Sequence, residues 1–335
     1  MASLYITRDT VDINLSNGHV VVTDRNTGTQ SSVRLSTLDR VIVVGNPGIT
    51  FPALLALSDE GIPAFFITQR GRWRASLLPD NNRNAERRIR QYVRAGGDTA
   101  FELRASKASV RSKLRNARRT LQRLASNRHD TDSPLYRSVQ IDMDAAISAV
   151  EGEDSLDAVR GYEGEASARY FELLGTYFPE TMPFPRRSRR PPKDAANALL
   201  SFSYTLLLGE VECCVRSHGL DACIGNLHRD LTGAPSLALD LMEPFRPALC
   251  DRFVLDLAGH GTVRSDEHFE ERDDGVFLND VGRKVFFPAW DAVMNRPFEG
   301  SDGMRTDFRK EIDRTVCTYL KALEEDADPD YFHLA

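Results

Sequence analysis

Three separated stretches of the chain set ionisable side chains among residues spaced like a protein core. The first is Gly161-Tyr162-Glu163-Gly164-Glu165-Ala166-Ser167-Ala168-Arg169-Tyr170. Tyr162, Ala166 and Tyr170 recur at the i, i+4 spacing of one helix face, and Glu163 stands one residue, about 100°, away from it. Gly164 costs a helix roughly 1 kcal/mol against alanine, which is easier to understand if another segment or a ligand approaches closely there. The plainer alternative is a boundary carboxylate in water. The second stretch, Gly219-Leu220-Asp221-Ala222-Cys223-Ile224-Gly225-Asn226-Leu227-His228, reads as a loop between helices. A lone histidine such as His228 is more often structural than catalytic. The third stretch is Ser236-Leu237-Ala238-Leu239-Asp240-Leu241-Met242-Glu243-Pro244-Phe245-Arg246-Pro247. Leu237, Leu241 and Phe245 form its apolar stripe, and Asp240 and Glu243, three apart, lie on one helix face. Two carboxylates so placed repel unless a cation sits beside them, and the run is too apolar for a solvated face to be comfortable.

A glutamate, a histidine and an Asp/Glu pair on three segments make a plausible site for a hard divalent cation. Carboxylate oxygens with one imidazole suit Mg²⁺ or Mn²⁺ better than zinc, which favours more nitrogen or sulfur. The charge pattern adds a substrate class. Net charge is −6, yet between Arg83 and Arg128 there are 14 Lys or Arg against three acids. The acids gather elsewhere, at Asp266–Asp274 and Glu324–Asp330. A second basic cluster, Arg186, Arg187, Arg189, Arg190 and Lys193, is set among prolines. Such patches attract polyanions whatever the total charge, although a solvated helix face is the bland alternative. Acidic ligands beside basic surfaces suggest metal-assisted phosphoryl transfer on nucleic acid. Whether the three segments meet is for the fold to decide.

The elements that must position them fall into two parts. The chain's 335 residues favour two domains, and 41% hydrophobic with 27% charged residues is ordinary for a globular protein. No apolar run approaches the roughly 20 residues of a membrane helix. The first residues hold no basic region followed by an apolar stretch, so no signal peptide and a cytoplasmic protein are expected. Cys213, Cys214, Cys223, Cys250 and Cys317 form no C-x-x-C pair. Adjacent Cys213 and Cys214 point to different faces of a helix, so reduced core cysteines are the expectation. Residues 1–82 read as a β-rich domain, with strands at 4–6, 11–15, 20–23, 32–35, 41–44, 64–68 and 73–78. Turns are expected at Asn17-Gly18, Asn26-Thr27-Gly28 and Gly71. One short helix, 51–58, should close at Gly61. After Pro79-Asp80-Asn81-Asn82 helical periodicity takes over, in a larger domain at 83–335. Helices are expected at 85–94, 100–127, 143–150, from an Asp154 cap to 177, from an Asp194 cap to 216, at 236–257 with a break near Pro244 and Pro247, and at 305–323. Val276–Leu278 and Val285–Phe287 could pair as a hairpin through Gly282. The fold class is α+β: an N-terminal β-sandwich followed by a larger all-α catalytic domain.

At these same residues the chain resembles the CRISPR-adaptation integrase family, the CRISPR-associated endonucleases of spacer acquisition. The likeness covers most of the chain. It lies in the Gly161-Tyr162-Glu163-Gly164 segment, the helix Asp194–Tyr204, Gly219-Leu220-Asp221, Ile224–His228 and, most specifically, Ser236–Pro247. Order and spacing carry it, with 65 residues from Glu163 to His228 and 15 more to Glu243. The resemblance implies metal ligands at Glu163, His228 and Glu243, a supporting acid at Asp240, and Arg246 facing a phosphate. It implies Mg²⁺ or Mn²⁺ as cofactor, double-stranded DNA as substrate, and a homodimer, with two dimers bridged by a small ferredoxin-like CRISPR-associated partner. The N-terminal domain would serve dimerisation and DNA-end contact. The chemistry would be attack of a 3′-hydroxyl of short foreign DNA on a phosphodiester at the edge of a CRISPR repeat. Arg111, Arg115, Arg118, Arg186, Arg187, Arg189, Arg190 and Lys193 are assigned to sequence-independent phosphate contacts. Whether Glu165 competes with Glu163 stays open. Two rival readings remain: a non-catalytic DNA-binding scaffold, and a stand-alone repair nuclease for branched DNA.

Overall fold

The computed structural model describes residues 2–69, 73–77, 85–228 and 233–335, without the side chains of Ala2 and Trp73. The turn expected at Gly71, the boundary at Pro79–Asn82 and Arg83 lie outside them. The N-terminal part builds β1 (Ala2–Ile6), β2 (Val11–Ser16), β3 (His19–Asp24), β4 (Gln30–Arg34), β5 (Leu38–Val44), β6 (Gly48–Ile49), α1 (Phe51–Asp59), β7 (Ala64–Ile67) and β8 (Trp73–Leu77). Asn17 and Gly18 make the β2–β3 turn, both at positive φ, as the hairpin requires. The strands form two four-stranded sheets, β1-β5-β7-β8 and β4-β3-β2-β6. In the first, β1, β5 and β7 run parallel and β8 antiparallel.

β5 is buried on both faces, and its pleat divides two cores. Val41 and Val43 join Ile13, Val20 and Leu57 of the N-terminal cluster, while Ile42 and Val44 join the helical core. A strand covered on both sides reads as a continuous apolar run, which is how 41–44 reads.

The second part contains α2 (Ala85–Gly97), α3 (Thr99–Arg128), α4 (Pro134–Gly152), α5 (Leu156–Thr176), α6 (Ala195–Ser217), α7 (Ser236–Met242), a π-helical turn (Arg246–Asp251) and α8 (Arg252–Gly259). It continues with β9 (Phe269–Arg272), β10 (Gly275–Leu278), α9 (Asp280–Met294), β11 (Phe298–Glu299), β12 (Arg305–Thr306) and α10 (Phe308–Glu325). The all-α expectation is therefore corrected by two small antiparallel pairs, β9–β10 and β11–β12. The expected hairpin partner of 276–278 is wrong as well. Val285–Phe287 lies in α9, because Asn279 caps that helix onto the Gly282 N–H, and Phe286, Trp290 and Met294 bury at helical spacing. Gly282 serves close packing rather than a turn: a Cβ there would stand 2.4 Å from the His268 carbonyl.

Ser155, not Asp154, caps α5, and α4 starts early because Ser133 caps it with Pro134 in its first turn. Asp194 caps α6 as expected. α6 is long and apolar enough in composition to cross a bilayer although its apolar residues form no unbroken run, and most of its apolar window is buried inside the protein. Of the cysteines, Cys250 is buried but Cys223 and Cys317 are exposed, so the core reading fails for those two.

α3, 30 residues long, is the post to which the site is fixed. Val110, Leu114, Ala117 and Leu121 give it an apolar stripe. Beside that stripe, Ser109 Oγ donates to the Asp240 carbonyl, Asn116 Nδ2 to the Pro244 carbonyl at 2.7 Å, and Thr120 Oγ1 to the Pro247 carbonyl at 3.2 Å. Pro244 and Pro247 interrupt the regular backbone ladder. Buried carbonyls there would each cost free energy if left unpaired. The polar edge of α3 meets that need and fixes where α7 and the following turn lie.

Candidate active site

Glu163 projects from mid-α5, a helix that buries Val159, Ala166, Tyr170, Leu173 and Leu174. Glu165 is exposed to solvent. Among the described residues no other segment approaches Gly164, where a Cβ would meet nothing within 4 Å, so the expected close approach by protein is not found there. Gly164 instead lines, with Glu163 and Ser167, a cleft that also includes Arg186, Arg187 and Arg189.

The second and third stretches are tied together by one buried carboxylate. Asp240 accepts from the backbone N–H groups of Asn226 at 2.6 Å, Leu227 at 2.9 Å and His228 at 3.0 Å. It also holds His228 Nδ1 at 2.8 Å. Gly225 lets the loop press onto α7: a Cβ there would lie 2.6 Å from the Ser236 carbonyl carbon and 2.9 Å from Asp240 Oδ2. With Nδ1 on Asp240, His228 Nε2 faces Glu243 Oε1 at 4.0 Å.

Glu163, His228 and Glu243 thus converge, and the group between the carboxylates is one that sequence reasoning missed. Lys113 of α3 bonds Glu163 Oε1 and stands 2.8 Å from Glu243 Oε2. Ser167 Oγ donates to the same Glu163 oxygen at 2.9 Å. A signal for Lys113 was present: it lies three residues after Val110 and four before Ala117, beside the apolar stripe rather than on an outer face.

Burial alone would push the Glu243 carboxyl up, but Arg246, Lys113 and His228 hold it down at about 2. Burial would lower His228, and the Asp240 bond outweighs it and raises the imidazole above its ordinary value. Lys113 is likewise raised, its burial overcome by Glu243 and Glu163. The donor set fits a hard cation. Two carboxylates face an imidazole oriented by a third acid, and Glu243 Oε2 is buried with no hydrogen-bond partner beyond its ion pair to the ammonium.

Arg246 is half in this site. Its Nη2 lies 3.2 Å from Glu243 Oε1, and its guanidinium packs over the Tyr204 ring at 4.9 Å. Tyr204 and Tyr170 both donate to Asp251, which is fully buried. Burial raises the Asp251 carboxyl to about 6, against the pull of the two hydroxyls, Arg187 and Arg246. The folded protein then keeps a proton there, between about pH 4 and about pH 6, that the unfolded chain has lost. Its contribution to stability is full below about pH 4 and is lost as pH rises through about 6, a change of about 3 kcal/mol. Urea unfolding of wild type and Asp251→Asn over that range should show the gap between them shifting by that amount. Parallel stability curves would refute the raised carboxyl.

The basic residues are placed unequally. Arg115 pairs with Glu151 at 3.0 Å and Arg118 with Asp144 at 2.8 Å, both acids of α4. Arg94 and Arg104 hold Asp326 of the acidic tail. The excess counted along 83–128 is therefore partly neutralised by acids distant in sequence. Arg111 has no ion pair among the described residues. Arg187 is committed to Asn197 Oδ1 at 2.7 Å and Ser201 Oγ at 3.2 Å, and Lys193 Nζ to the Asp274 carbonyl at 2.8 Å. Arg189 and Arg190 line a second cleft that reaches Tyr204 and Arg246.

The family model for CRISPR associated protein Cas1 matches residues 4–292. The chain belongs to that family. It is 34% identical over 294 residues to a CRISPR-associated endonuclease Cas1 of Thermodesulfovibrio yellowstonii, covering 87% of this chain and 91% of that one. Another from Thermus thermophilus is 32% identical over 328 residues, covering 96% and 95%. Among solved structures, a casposase bound to integration product shares the fold at TM-score 0.86 and 21% identity, covering 98% of this chain and 92% of that one. A Cas1 protein from Thermotoga maritima does so at TM-score 0.80 and 22% identity, each chain covered in full. The fold shared with both is the mixed architecture described above, sheets followed by a larger helical part.

Proposed function

We propose that this protein is a metal-dependent DNA integrase and endonuclease that inserts short foreign DNA into a CRISPR array. The observation that carries the reading is the convergence of Glu163 and Glu243 on the Lys113 ammonium, with His228 Nε2 4.0 Å from Glu243 and its ring oriented by Asp240. Membership of a family of CRISPR-associated endonucleases supports the substrate class. Glu163, Glu243 and His228 Nε2 would hold Mg²⁺ or Mn²⁺. When bound, the ion supplies Lewis-acid polarisation of a phosphoryl oxygen. The chain's own residues fix the geometry. Asp240 keeps Nδ1 occupied and leaves Nε2 on the Glu243 side, where it would be free to ligate, and Arg246 and Lys113 balance Glu243. The arginines of the 186–190 loop would take the phosphate backbone along the cleft. In the reaction the DNA 3′-oxygen forms a bond to phosphorus, the target strand's own bond from phosphorus to its 3′-oxygen breaks, and the proton lost by the attacking hydroxyl is balanced by one taken up from solvent by the departing 3′-oxygen. Water in place of the hydroxyl gives endonuclease cleavage. The two N-terminal sheets would pack as a sandwich, form the dimer contact and meet the DNA end, and a small ferredoxin-like partner would bridge two dimers.

The test is to incubate the purified chain and that partner with short duplex DNA and a supercoiled repeat plasmid, with and without divalent metal. Joined products that require metal are expected; their absence under both conditions would remove the integrase reading. Charge reversal at Arg186, Arg189 and Arg190 should weaken DNA binding across sequences and lower the salt slope by about one unit per lost phosphate contact. An unchanged slope would take the loop out of the DNA path.

A further inference from the structure

The structure points to a second metal site, separate from the candidate active site, and we propose that Cys214, His218, Asp313 and Cys317 bind one Zn²⁺ ion. Cys214 and His218 stand four residues apart at the C-terminal end of α6, and Asp313 and Cys317 four apart on α10. That spacing puts each pair one above the other on a single face. The two helices pack together, and the pairs face each other. His218 Nε2 lies 2.7 Å from Asp313 Oδ1, Cys214 Sγ 3.7 Å from the same oxygen, and Cys317 Sγ 3.9 Å from His218 Nε2 and 4.0 Å from Asp313 Oδ2.

Those separations are nearly the edges of a coordination tetrahedron. Zinc bonds of about 2.3 Å to sulfur and about 2.0–2.2 Å to nitrogen and oxygen give edges of roughly 3.3–3.8 Å. Cys214, His218 and Asp313 already offer ligand atoms within 4.8 Å of one another. Cys317 Sγ, near His218 and Asp313 but outside that mutual set, would turn in toward Cys214 as the fourth ligand. Only the His218–Asp313 hydrogen bond is too short, and it would open as the ion takes its place. Two thiolates, an imidazole and a carboxylate form a soft, borderline set that selects zinc over Mg²⁺ or Mn²⁺, the reverse of the preference at Glu163, His228 and Glu243. Asp313 and Cys317 are exposed, so an ion enters from water. Binding sends two thiol protons to solvent and leaves a net charge of −1 on the site. Arg87, whose Nη1 donates to the His218 carbonyl at 3.2 Å, is at hand to offset it.

The ion would act as a staple rather than a catalyst. Tyr319, two residues beyond Cys317, accepts a hydrogen bond from Asn226 Nδ2 at 3.2 Å, and Asn226 is one of the backbone donors to Asp240. Clasping α6 to α10 therefore steadies the loop that carries His228. Cys214 and His218 lie within the residues the family model matches, and Asp313 and Cys317 beyond them.

The experiment uses Co²⁺ as a spectroscopic probe of the full chain, and Zn²⁺ competition against a chromophoric chelator. One equivalent of Co²⁺ should give tetrahedral visible bands with a thiolate-to-cobalt charge-transfer band, displaced by Zn²⁺. Zinc should raise the thermal midpoint by a few degrees. Cys214→Ser and Cys317→Ser should each lose the charge-transfer intensity or the affinity by tenfold or more, while Glu163→Gln keeps the wild-type spectrum. No thiolate band, a band that survives both cysteine changes, or a Cys214–Cys317 disulfide forming in place of metal binding would each overturn the proposal.

Discussion

His228→Ala is expected to abolish both strand transfer and cleavage, by about a thousandfold or more, while leaving the protein folded and bound to DNA. The imidazole is about one-third exposed, and without it Asp240 still accepts from three backbone N–H groups, so its removal should cost only part of the protein's stability. What it removes is the Nε2 that completes a donor set with Glu163 and Glu243. Several kcal/mol of charge stabilisation rest on an ion held there, and each 1.36 kcal/mol is a factor of ten in rate. Asp240→Asn acts by position rather than by contact: either amide rotamer sets its NH2 against two donors, so the loop should loosen and metal affinity should fall 10- to 100-fold or more. The rival reading, a scaffold that only measures DNA for a partner, predicts that His228→Ala still supports integration. Isothermal titration with Mn²⁺ and a plasmid integration assay on the same preparations separate the two. Integration that survives at wild-type rate would transfer the chemistry to another molecule.

Much of the scaffold was legible because it obeys local rules. Asn17-Gly18 requires positive φ, Asp194 is a cap, and 41–44 has the uninterrupted apolar character of a strand covered on both faces. The prolines at 244 and 247 announced the break that separates α7 from the π-helical turn. What failed was pairing across distance. Val276–Leu278 was given the wrong partner because β-propensity does not name the strand opposite, and the Val285–Phe287 run is equally compatible with the buried face of α9.

The site divides along the same line. The acids and histidine stood out because polar groups in apolar runs are rare. Lys113 did not, since one lysine on a helix rich in arginine reads as surface until the opposing carboxylates are in place. The charge count on 83–128 failed for that reason in reverse. Glu151, Asp144 and Asp326 are distant in sequence and adjacent in space, so part of the apparent cationic face is internally balanced.

Lys113→Met should then produce the largest change in stability, and metal should decide its size. The ammonium is nearly buried, and it is the cation that bridges Glu163 and Glu243. Methionine fills similar volume but leaves the two carboxylates facing each other, with Arg246 and the His228 imidazole beside Glu243 and only the Ser167 hydroxyl on Glu163. Breaking a buried pair by removing one partner costs about 3–5 kcal/mol, so the variant measured in EDTA should lose that much. Glu243 also loses part of what holds its carboxyl down, so the stability it contributes above the ordinary carboxylate range should begin to fail at a higher pH than in wild type. Mn²⁺ would supply the missing charge. Its thermal shift should be larger in Lys113→Met than in wild type, and its affinity equal or higher, because the native lysine competes for the same two oxygens. If Lys113 served instead only to grip a phosphate, the variant would lose DNA binding while its EDTA stability stayed within about 1 kcal/mol of wild type and Mn²⁺ shifted both proteins alike. Unfolding curves in EDTA and in Mn²⁺ distinguish these outcomes without any activity measurement.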